Sequence, residues 1–142
     1  MTKTALRRPA KKIKTLTVGA ITKLLDKAFS IKVRQKSMDS QGFVACYTCG
    51  HKNHWKKMQC GHYLSRFYKA TRWDYDNARP QCMMCNLWKR GDPIVFRANL
   101  IKEIGVERVE AVESKRFALF KQPIGLYQNK LIEINEIQLI HT

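Results

Sequence analysis

The chain has 142 residues and a formal net charge of +16 at pH 7, because 27 lysines and arginines outnumber 11 aspartates and glutamates. This length accommodates one domain with tails. The charge indicates a polyanionic partner, with nucleic acid favoured over a membrane surface or a merely solvated basic exterior. No apolar run of about 18 residues would span a membrane, and the basic start lacks a secretory signal pattern, so we expect a cytoplasmic protein.

The first part of the chain is predicted to be a basic arm followed by a helix. Residues 1–16 are rich in lysine and arginine, which favours a disordered tail. Between residues 18 and 37, apolar residues recur every three or four positions, and Thr17 has the side chain of an N-cap. The predicted core-facing side of this helix consists of Ile21, Leu24, Leu25, Ala28 and Phe29, and it extends to Val33. We expect its lysine-rich opposite side to face phosphate or solvent.

The middle of the chain predicts short strands separated by loops. Residues 43–45 read as a strand after a turn that ends at Gly42, and residues 51–57 read as a polar loop. Residues 58–63 predict a further strand, and residues 74–77 predict a turn. The second cysteine pair is expected to run into a helix that begins near Asn86.

The C-terminal part is predicted to be helical, with interruptions at glycine and proline. Gly91-Asp92-Pro93 breaks the chain before a helix over residues 94–103, and Gly105 ends that helix. A second helix is expected over residues 106–120 and a third, amphipathic one over residues 127–140, which would offer a dimer interface. The predicted organisation is a basic arm (1–16), a compact domain (17–122) and a helical tail (123–142).

Two C-x-x-C pairs predict a structural zinc site. Each pair presents two sulfurs on one side of a turn, and four thiolates provide the tetrahedral set that zinc prefers. The predicted ligands are Cys46, Cys49, Cys82 and Cys85. A second set resembles a zinc knuckle, but it would leave two adjacent cysteines without a role. That alternative set consists of Cys46, Cys49, His54 and Cys60.

Three polar residues in or next to this zinc-enclosed segment suggest phosphodiester chemistry. A histidine at a hairpin end, an asparagine in the next loop and a ligand at a helix start resemble the arrangement of ββα-metal, or HNH, nucleases. In this interpretation His62 is the general base, Asn77 supports the loop, and Asn86 helps to hold a divalent cation. The competing interpretation makes His62 a capping or core histidine.

Longer motifs resemble the phage recombination family NinG, also called Rap. They lie between about residues 20 and 120, and the most specific are Gly61-His62-Tyr63 and the run from Leu100 to Glu110. The resemblance implies a phage-encoded, structure-specific endonuclease in the bacterial host, which cuts Holliday junctions and D-loops with Mg²⁺ or Mn²⁺. The similar endonuclease VII type of resolvase has a metal-binding Asn directly after the last zinc cysteine, and this role falls on Asn86. The other matching runs are residues 25–30, 46–50, 72–74, 76–77 and 81–86.

One departure from the family pattern concerns the catalytic cation. Such sites usually have an aspartate immediately before the histidine or within a few residues before it, whereas residues 58–61 contain none. Gln59 would offer a neutral carbonyl oxygen, and Asp74, Asp76 or Asp92 would supply a carboxylate from elsewhere in the fold. Otherwise His62 itself would bind the cation.

Basic and aromatic residues surround the predicted site. Arginine and lysine would hold phosphates, and exposed aromatic residues would stack on unpaired bases. For Trp73, Trp88 and Tyr63, packing in a small core is the competing interpretation. The predicted DNA contacts are Lys56, Lys57, Arg66, Lys69, Arg72, Lys89 and Arg90.

The sequence therefore predicts an α+β fold with a small zinc-braced ββα-metal core, similar to HNH nucleases and endonuclease VII, and flanking N- and C-terminal helices. The predicted function is metal-dependent cleavage of branched double-stranded DNA, with a homodimer attractive because resolving a junction takes two cuts. A non-catalytic zinc-containing DNA-binding protein, or recombination mediator, is the alternative.

Overall fold

Helices and two small antiparallel sheets form a mixed α+β fold. The computed structural model describes residues 17–119, 127 and 129–134. The predicted basic arm and the end of the predicted C-terminal helix lie outside these ranges, although residues 127 and 129–134 are helical as expected. Within the described ranges, no helix is long and apolar enough to cross a membrane.

The first helix, α1, spans Val18–Gln35 and confirms the predicted one. The Thr17 hydroxyl accepts a hydrogen bond from the amide of Ala20 at 3.2 Å and so caps the first turn. Residues four positions apart form the buried stripe Ile21, Leu25, Phe29 and Val33. Leu24 was expected in this stripe, but it is 42% exposed because it lies beside the stripe on the solvent side.

Two separate hairpin-like sheets follow α1. Strand β1 (Phe43–Ala45) pairs with β2 (Lys52–His54), and β3 (Gln59–His62) pairs with β4 (Ala78–Gln81), both antiparallel. The expected strands at β1 and β3 are confirmed. The expectation of a polar loop over residues 51–57 is wrong at β2, and β4 was not predicted.

The C-terminal part begins with a short wide turn. Met84–Trp88 forms one π-helical turn, called here the knuckle turn, where a longer helix was expected. Residues 90–92 then have positive φ angles of 52°, 84° and 46°, which reverse the chain before helix α2 (Pro93–Ile104). Gly105 separates α2 from α3 (Val106–Ser114), which is shorter than predicted and continues into a 3-10 turn.

Three apolar clusters hold these elements together. The first packs the buried stripe of α1 against Trp73, Ala78, Tyr127 and Ile134. The second surrounds the cysteines and contains Val44 and Met58, and the third joins α2 to α3 through Phe96, Leu100 and Val109. Strand β3 and the loop that follows it therefore lie against α1.

Candidate functional site

The four predicted zinc ligands lie together. The sulfurs of Cys46, Cys49, Cys82 and Cys85 are all within 4.8 Å of one another, and the Cys49 and Cys82 sulfurs are 3.7 Å apart. Zinc–sulfur bonds of about 2.3 Å in a tetrahedron separate the sulfurs by about 3.8 Å. The cluster therefore fits a structural zinc ion.

The alternative ligand set is wrong. His54 accepts a hydrogen bond from the amide of Lys56 at 3.3 Å through Nδ1, and Cys60 packs against the α1 cluster. Burial raises the pKa of the Cys60 thiol to about 12, so it stays protonated at neutral pH. Cys60 is thus a half-buried spare thiol.

The environment of the cluster favours thiolate at one ligand more than at another. Burial raises the pKa of Cys46, but hydrogen bonds from the backbone at Cys49 and from Thr48 outweigh it and lower this pKa to about 6. Burial raises the pKa of Cys85 to about 12. Since zinc binds thiolates, zinc binding releases the protons that these thiols carry.

His62 ends strand β3 and touches the loop between β3 and β4. Its Nε2 lies 2.9 Å from the carbonyl oxygen of Arg72, and its ring is 6.0 Å from that of Phe29. Burial lowers the pKa of His62, although the Arg72 carbonyl opposes the shift. At neutral pH the ring is therefore uncharged. A proton on Nε2 is donated to Arg72, which leaves Nδ1 as the basic nitrogen.

Asn77 closes the same loop from within. Its side chain is fully buried and accepts a hydrogen bond from the amide of Leu64 at 2.7 Å. It also donates to the carbonyl oxygens of Leu64 and Thr71, both at 3.0 Å. The loop is therefore held at its start and immediately before Arg72, whose carbonyl accepts from His62.

Asn86 lies on the knuckle turn and faces strand β3. Its Nδ2 donates to Oε1 of Gln59 at 2.7 Å. Gln59 and His62 are three positions apart in β3, so their side chains leave opposite faces of the strand. The structure thus brings Asn86 to Gln59 and brings His62 to the loop braced by Asn77.

The candidate carboxylates lie in different surroundings. Asp74 pairs with Lys115 at 2.9 Å and Asp76 pairs with Arg108 at 2.5 Å. Asp92 stands at the start of α2 and makes no side-chain cap bond. In the described ranges no second group of three or more His, Cys, Asp or Glu residues brings its ligand atoms together. The side-chain partner of Asn86 is the neutral amide of Gln59, and amide oxygens bind Mg²⁺ less well than carboxylates do.

Most of the predicted DNA contacts are exposed, but Arg72 is engaged inside the fold. Its guanidinium binds the Asp26 carboxylate through Nε at 2.8 Å and Nη2 at 2.5 Å. Arg66 lies 3.9 Å from the same carboxylate and is 61% exposed. Trp73 is buried and donates to Asp26 at 3.0 Å. The other predicted contacts are exposed: Lys56, Lys57, Lys69, Lys89 and Arg90.

Sequence reasoning missed Gln81, which connects the zinc cluster to the chain reversal after the knuckle turn. This side chain is fully buried, and its Nε2 lies 2.8 Å from the carbonyl oxygen of Gly91 and 3.3 Å from the Thr48 hydroxyl. A glutamine directly before Cys82 gives little indication in the sequence that its side chain is buried. Its burial becomes apparent only when β4 is paired with β3.

Comparisons with known proteins support the longer motifs. A family model described as Bacteriophage Lambda NinG protein matches residues 1–134. Protein ninG of Escherichia phage 933W is 30% identical over 93 residues, which cover 65% of this chain and 44% of the relative. The proteins of the same name from Salmonella phage P22 and Escherichia phage lambda are each 29% identical over 93 residues, 65% of this chain and 43% of each relative.

The chain spans less than half the length of these curated relatives. No solved structure matches it. Since the family model covers nearly the whole sequence, including the cysteine pairs and the residues between them, the chain belongs to the NinG family.

Proposed function

We propose that this protein is a metal-dependent, structure-specific DNA endonuclease with an HNH-like core, which acts on branched recombination intermediates such as Holliday junctions and D-loops. The contact that supports this most directly is the hydrogen bond between His62 Nε2 and the Arg72 carbonyl, at 2.9 Å. It fixes one tautomer of a neutral imidazole at a strand end. A general base for water needs such an oriented, uncharged ring.

In the proposed reaction, Nδ1 of His62 takes a proton from a water molecule, whose oxygen then attacks the phosphorus. The bond between phosphorus and the 3′ oxygen breaks as the new bond forms, and the 3′ oxygen leaves and takes up a proton from solvent. The Arg72 carbonyl keeps Nε2–H directed away from the substrate and stabilises the imidazolium that forms. Asn77 contributes indirectly, because its three hydrogen bonds hold the loop that carries Arg72. A zinc ion held by the four cysteines would support the fold and take no part in the chemistry.

A divalent cation such as Mg²⁺ or Mn²⁺ would stabilise charge on the phosphate and on the leaving oxygen. Asn86 would hold it in part through its side-chain oxygen, and Gln59 would orient Asn86 through their 2.7 Å hydrogen bond. With neutral amides as the protein ligands, much of the binding would come from phosphate oxygens of the DNA. We expect weak cation binding in the absence of DNA.

The exposed lysines and arginines named above would bind the DNA backbone. Each phosphate contact releases counterions, so affinity for a junction should fall steeply as salt rises. Cutting both strands of a symmetric junction favours a homodimer, and sedimentation of the protein with and without a junction would measure this.

Cleavage of a labelled four-way junction by zinc-loaded protein, with Mg²⁺ or Mn²⁺ titrated, tests the proposal. His62→Ala should bind the junction normally and cut at least a hundredfold more slowly, the loss typical of a missing general base. The matched control is His51→Ala, because His51 is exposed. Unchanged cleavage by His62→Ala would refute the assigned base.

A non-catalytic zinc-containing DNA-binding or mediator protein is the second candidate. The observation that favours it is that Asn86 and Gln59 are joined through side-chain amides, with no carboxylate hydrogen-bonded to either of them among residues 17–119, 127 and 129–134. In that case the affinity of the protein for junctions would fall with rising salt just as it would for the endonuclease. It would leave them intact at every concentration of Mg²⁺ and Mn²⁺.

A further inference from the structure

The knuckle turn and Met83, the residue directly before it, present an apolar ridge to solvent. Met83, Met84 and Leu87 are 55%, 57% and 57% exposed, and Trp88 is 75% exposed. Trp73, by contrast, is buried and packs against the ring of Tyr127. Among the residues that the structure describes, no aromatic ring packs against Trp88. Four neighbouring apolar side chains on a short turn form the kind of patch that marks an interaction surface.

The geometry of the turn explains why these side chains point outward. Cys85 is 1% exposed and belongs to the metal cluster, and Asn86 is bonded to Gln59. The inward side of the turn is therefore committed to the zinc cluster and the candidate site. Positions about four residues apart lie on one side of a helical turn, which places Met84 and Trp88 together.

The charge around the ridge narrows the choice of partner. Lys89 and Arg90 follow Trp88 directly and are exposed. No acidic residue occurs between residues 77 and 91. Two copies joined through this ridge would bring these cations face to face, which is unfavourable. A partner with flat apolar faces and flanking negative charge fits better, and unpaired nucleotides have both features.

We propose that the knuckle-turn ridge, with Trp88 at its tip, stacks against bases left unpaired at a DNA branch point. This inference rests on the proposed function and extends it, since it identifies what the protein recognises at the branch. Trp88 supplies the stacking face, Met84 and Leu87 exclude water beside it, and Lys89 and Arg90 hold the adjoining phosphates. Because Asn86 lies on the same turn, the stacked base and the scissile phosphate would be close neighbours.

Binding measured without added divalent cation tests the ridge separately from cleavage. The probes are a four-way junction with 2-aminopurine at the branch and a fully paired duplex of the same composition. Wild-type protein should bind the junction more tightly and change the 2-aminopurine fluorescence. Trp88→Ala should weaken junction binding by about tenfold, which lies within the range for losing one stacked base, and leave duplex binding unchanged.

Three further variants give the comparison its controls. Trp88→Phe keeps an aromatic face and should retain most of the junction preference. Phe117→Ala removes another ring that is 83% exposed and should have no effect. Lys89→Ala should weaken junction and duplex binding to the same extent, because a phosphate contact carries no information about branching. Zinc content measured for each variant reports whether the fold is intact.

Several results would overturn the stacking role. One is an unchanged junction preference in Trp88→Ala. Another is loss of dimers on sedimentation of that variant, which would make the ridge a self-association surface. Trp88-dependent binding to anionic phospholipid vesicles without any effect on junctions would assign it to a membrane. If Trp88→Ala loses junction preference while the wild type never cuts DNA, the stacking role holds and the endonuclease proposal fails.

Discussion

At the scale of single residues, Gly61 shows how tightly the strand before His62 is packed. A Cβ added at this position would lie 2.6 Å from Cδ of Gln81, a side chain that is fully buried. Gly61 does not have a positive φ angle, so lack of space for a side chain, and not backbone conformation, is the reason for glycine at this position. The side chain of Gln81 would have to move away from Gly91 and Thr48.

Gly61→Ala should therefore destabilise the protein by about 1–3 kcal/mol, the usual cost of overpacking. Chemical denaturation would measure it. Gly19→Ala is the matched control, because a Cβ there meets nothing within 4 Å, and it should be neutral or slightly stabilising. Combining Gly61→Ala with Gln81→Ala should recover part of the loss; a fully additive effect would contradict the proposed clash.

Gln59 provides a second prediction at this scale. Gln59→Glu keeps the shape and the acceptor for Asn86 but adds a carboxylate oxygen, which is a better ligand for hard cations. We expect Mn²⁺ to bind this variant several-fold more tightly, as measured by paramagnetic resonance of free Mn²⁺. The Mg²⁺ concentration needed for half-maximal cleavage should fall in parallel. Tighter binding is not expected for Gln41→Glu, an exposed control, and equal gains in both variants would reject the assigned cation position.

At the scale of elements, α1 reaches the candidate site through one acidic residue. Asp26 accepts hydrogen bonds from Arg72 and Trp73. Burial raises the pKa of Asp26, but these hydrogen bonds and the charge of Arg72 outweigh it, so the pKa lies below its ordinary value of 3.8. Since the Arg72 carbonyl accepts from His62, α1 acts as a positioning element for the imidazole.

Asp26→Asn should cost about 2 kcal/mol at pH 7, as expected for hydrogen bonds to a charged group. Because the pKa of Asp26 is lower in the folded than in the unfolded protein, the ionised carboxylate stabilises the folded state at pH values above 3.8. This stabilisation is lost as the pH falls below 3.8 and through the pKa of the folded state. Urea unfolding against pH should thus show a steeper acid decline for wild type than for the variant. Asp76→Asn removes a pair whose arginine is 60% exposed and should change stability by less than about 1 kcal/mol.

How much was predictable from sequence differs between elements for a physical reason. Helix α1 and helix α2 were predicted because their apolar spacing, the Thr17 cap and the Gly105 stop are local signals. Strands β2 and β4 have only three and four residues, which is too short for a clear alternating pattern. Each exists because it pairs with another strand, β2 with the nearby β1 and β4 with β3 across a longer loop. Cysteine spacing indicated the zinc cluster. No local sequence pattern, however, indicates that Arg72 binds Asp26, which lies 46 positions away in the chain.

At the scale of the whole molecule, the zinc cluster joins parts that would be weak alone. The two sheets have two strands each, and an isolated two-stranded hairpin is marginally stable in water. Cys46 and Cys49 follow β1, while Cys82 and Cys85 follow β4. A bound zinc ion would therefore connect both sheets and the knuckle turn, so that much of the folding free energy would depend on the metal.

Metal removal should accordingly unfold the segment between the cysteine pairs, with loss of tertiary circular dichroism and of junction binding. Cys49→Ser removes one thiolate and should abolish stoichiometric zinc, measured by plasma mass spectrometry. Cys60→Ala is the matched control, because Cys60 lies outside the cluster, and it should bind zinc like wild type. Equal zinc loss in both variants would contradict the assigned ligand set.

The adjacency of Cys85 and Asn86 on one turn has a consequence for how this segment tolerates insertions and deletions. Each residue of such a helical turn rotates the next side chain by roughly a quarter of a turn about the helix axis. A single alanine inserted between them would leave all four thiolates in place, yet turn the amide away from Gln59. Such a protein should fold and load zinc normally while losing whatever depends on that amide, so spacing within the turn matters as much as residue identity.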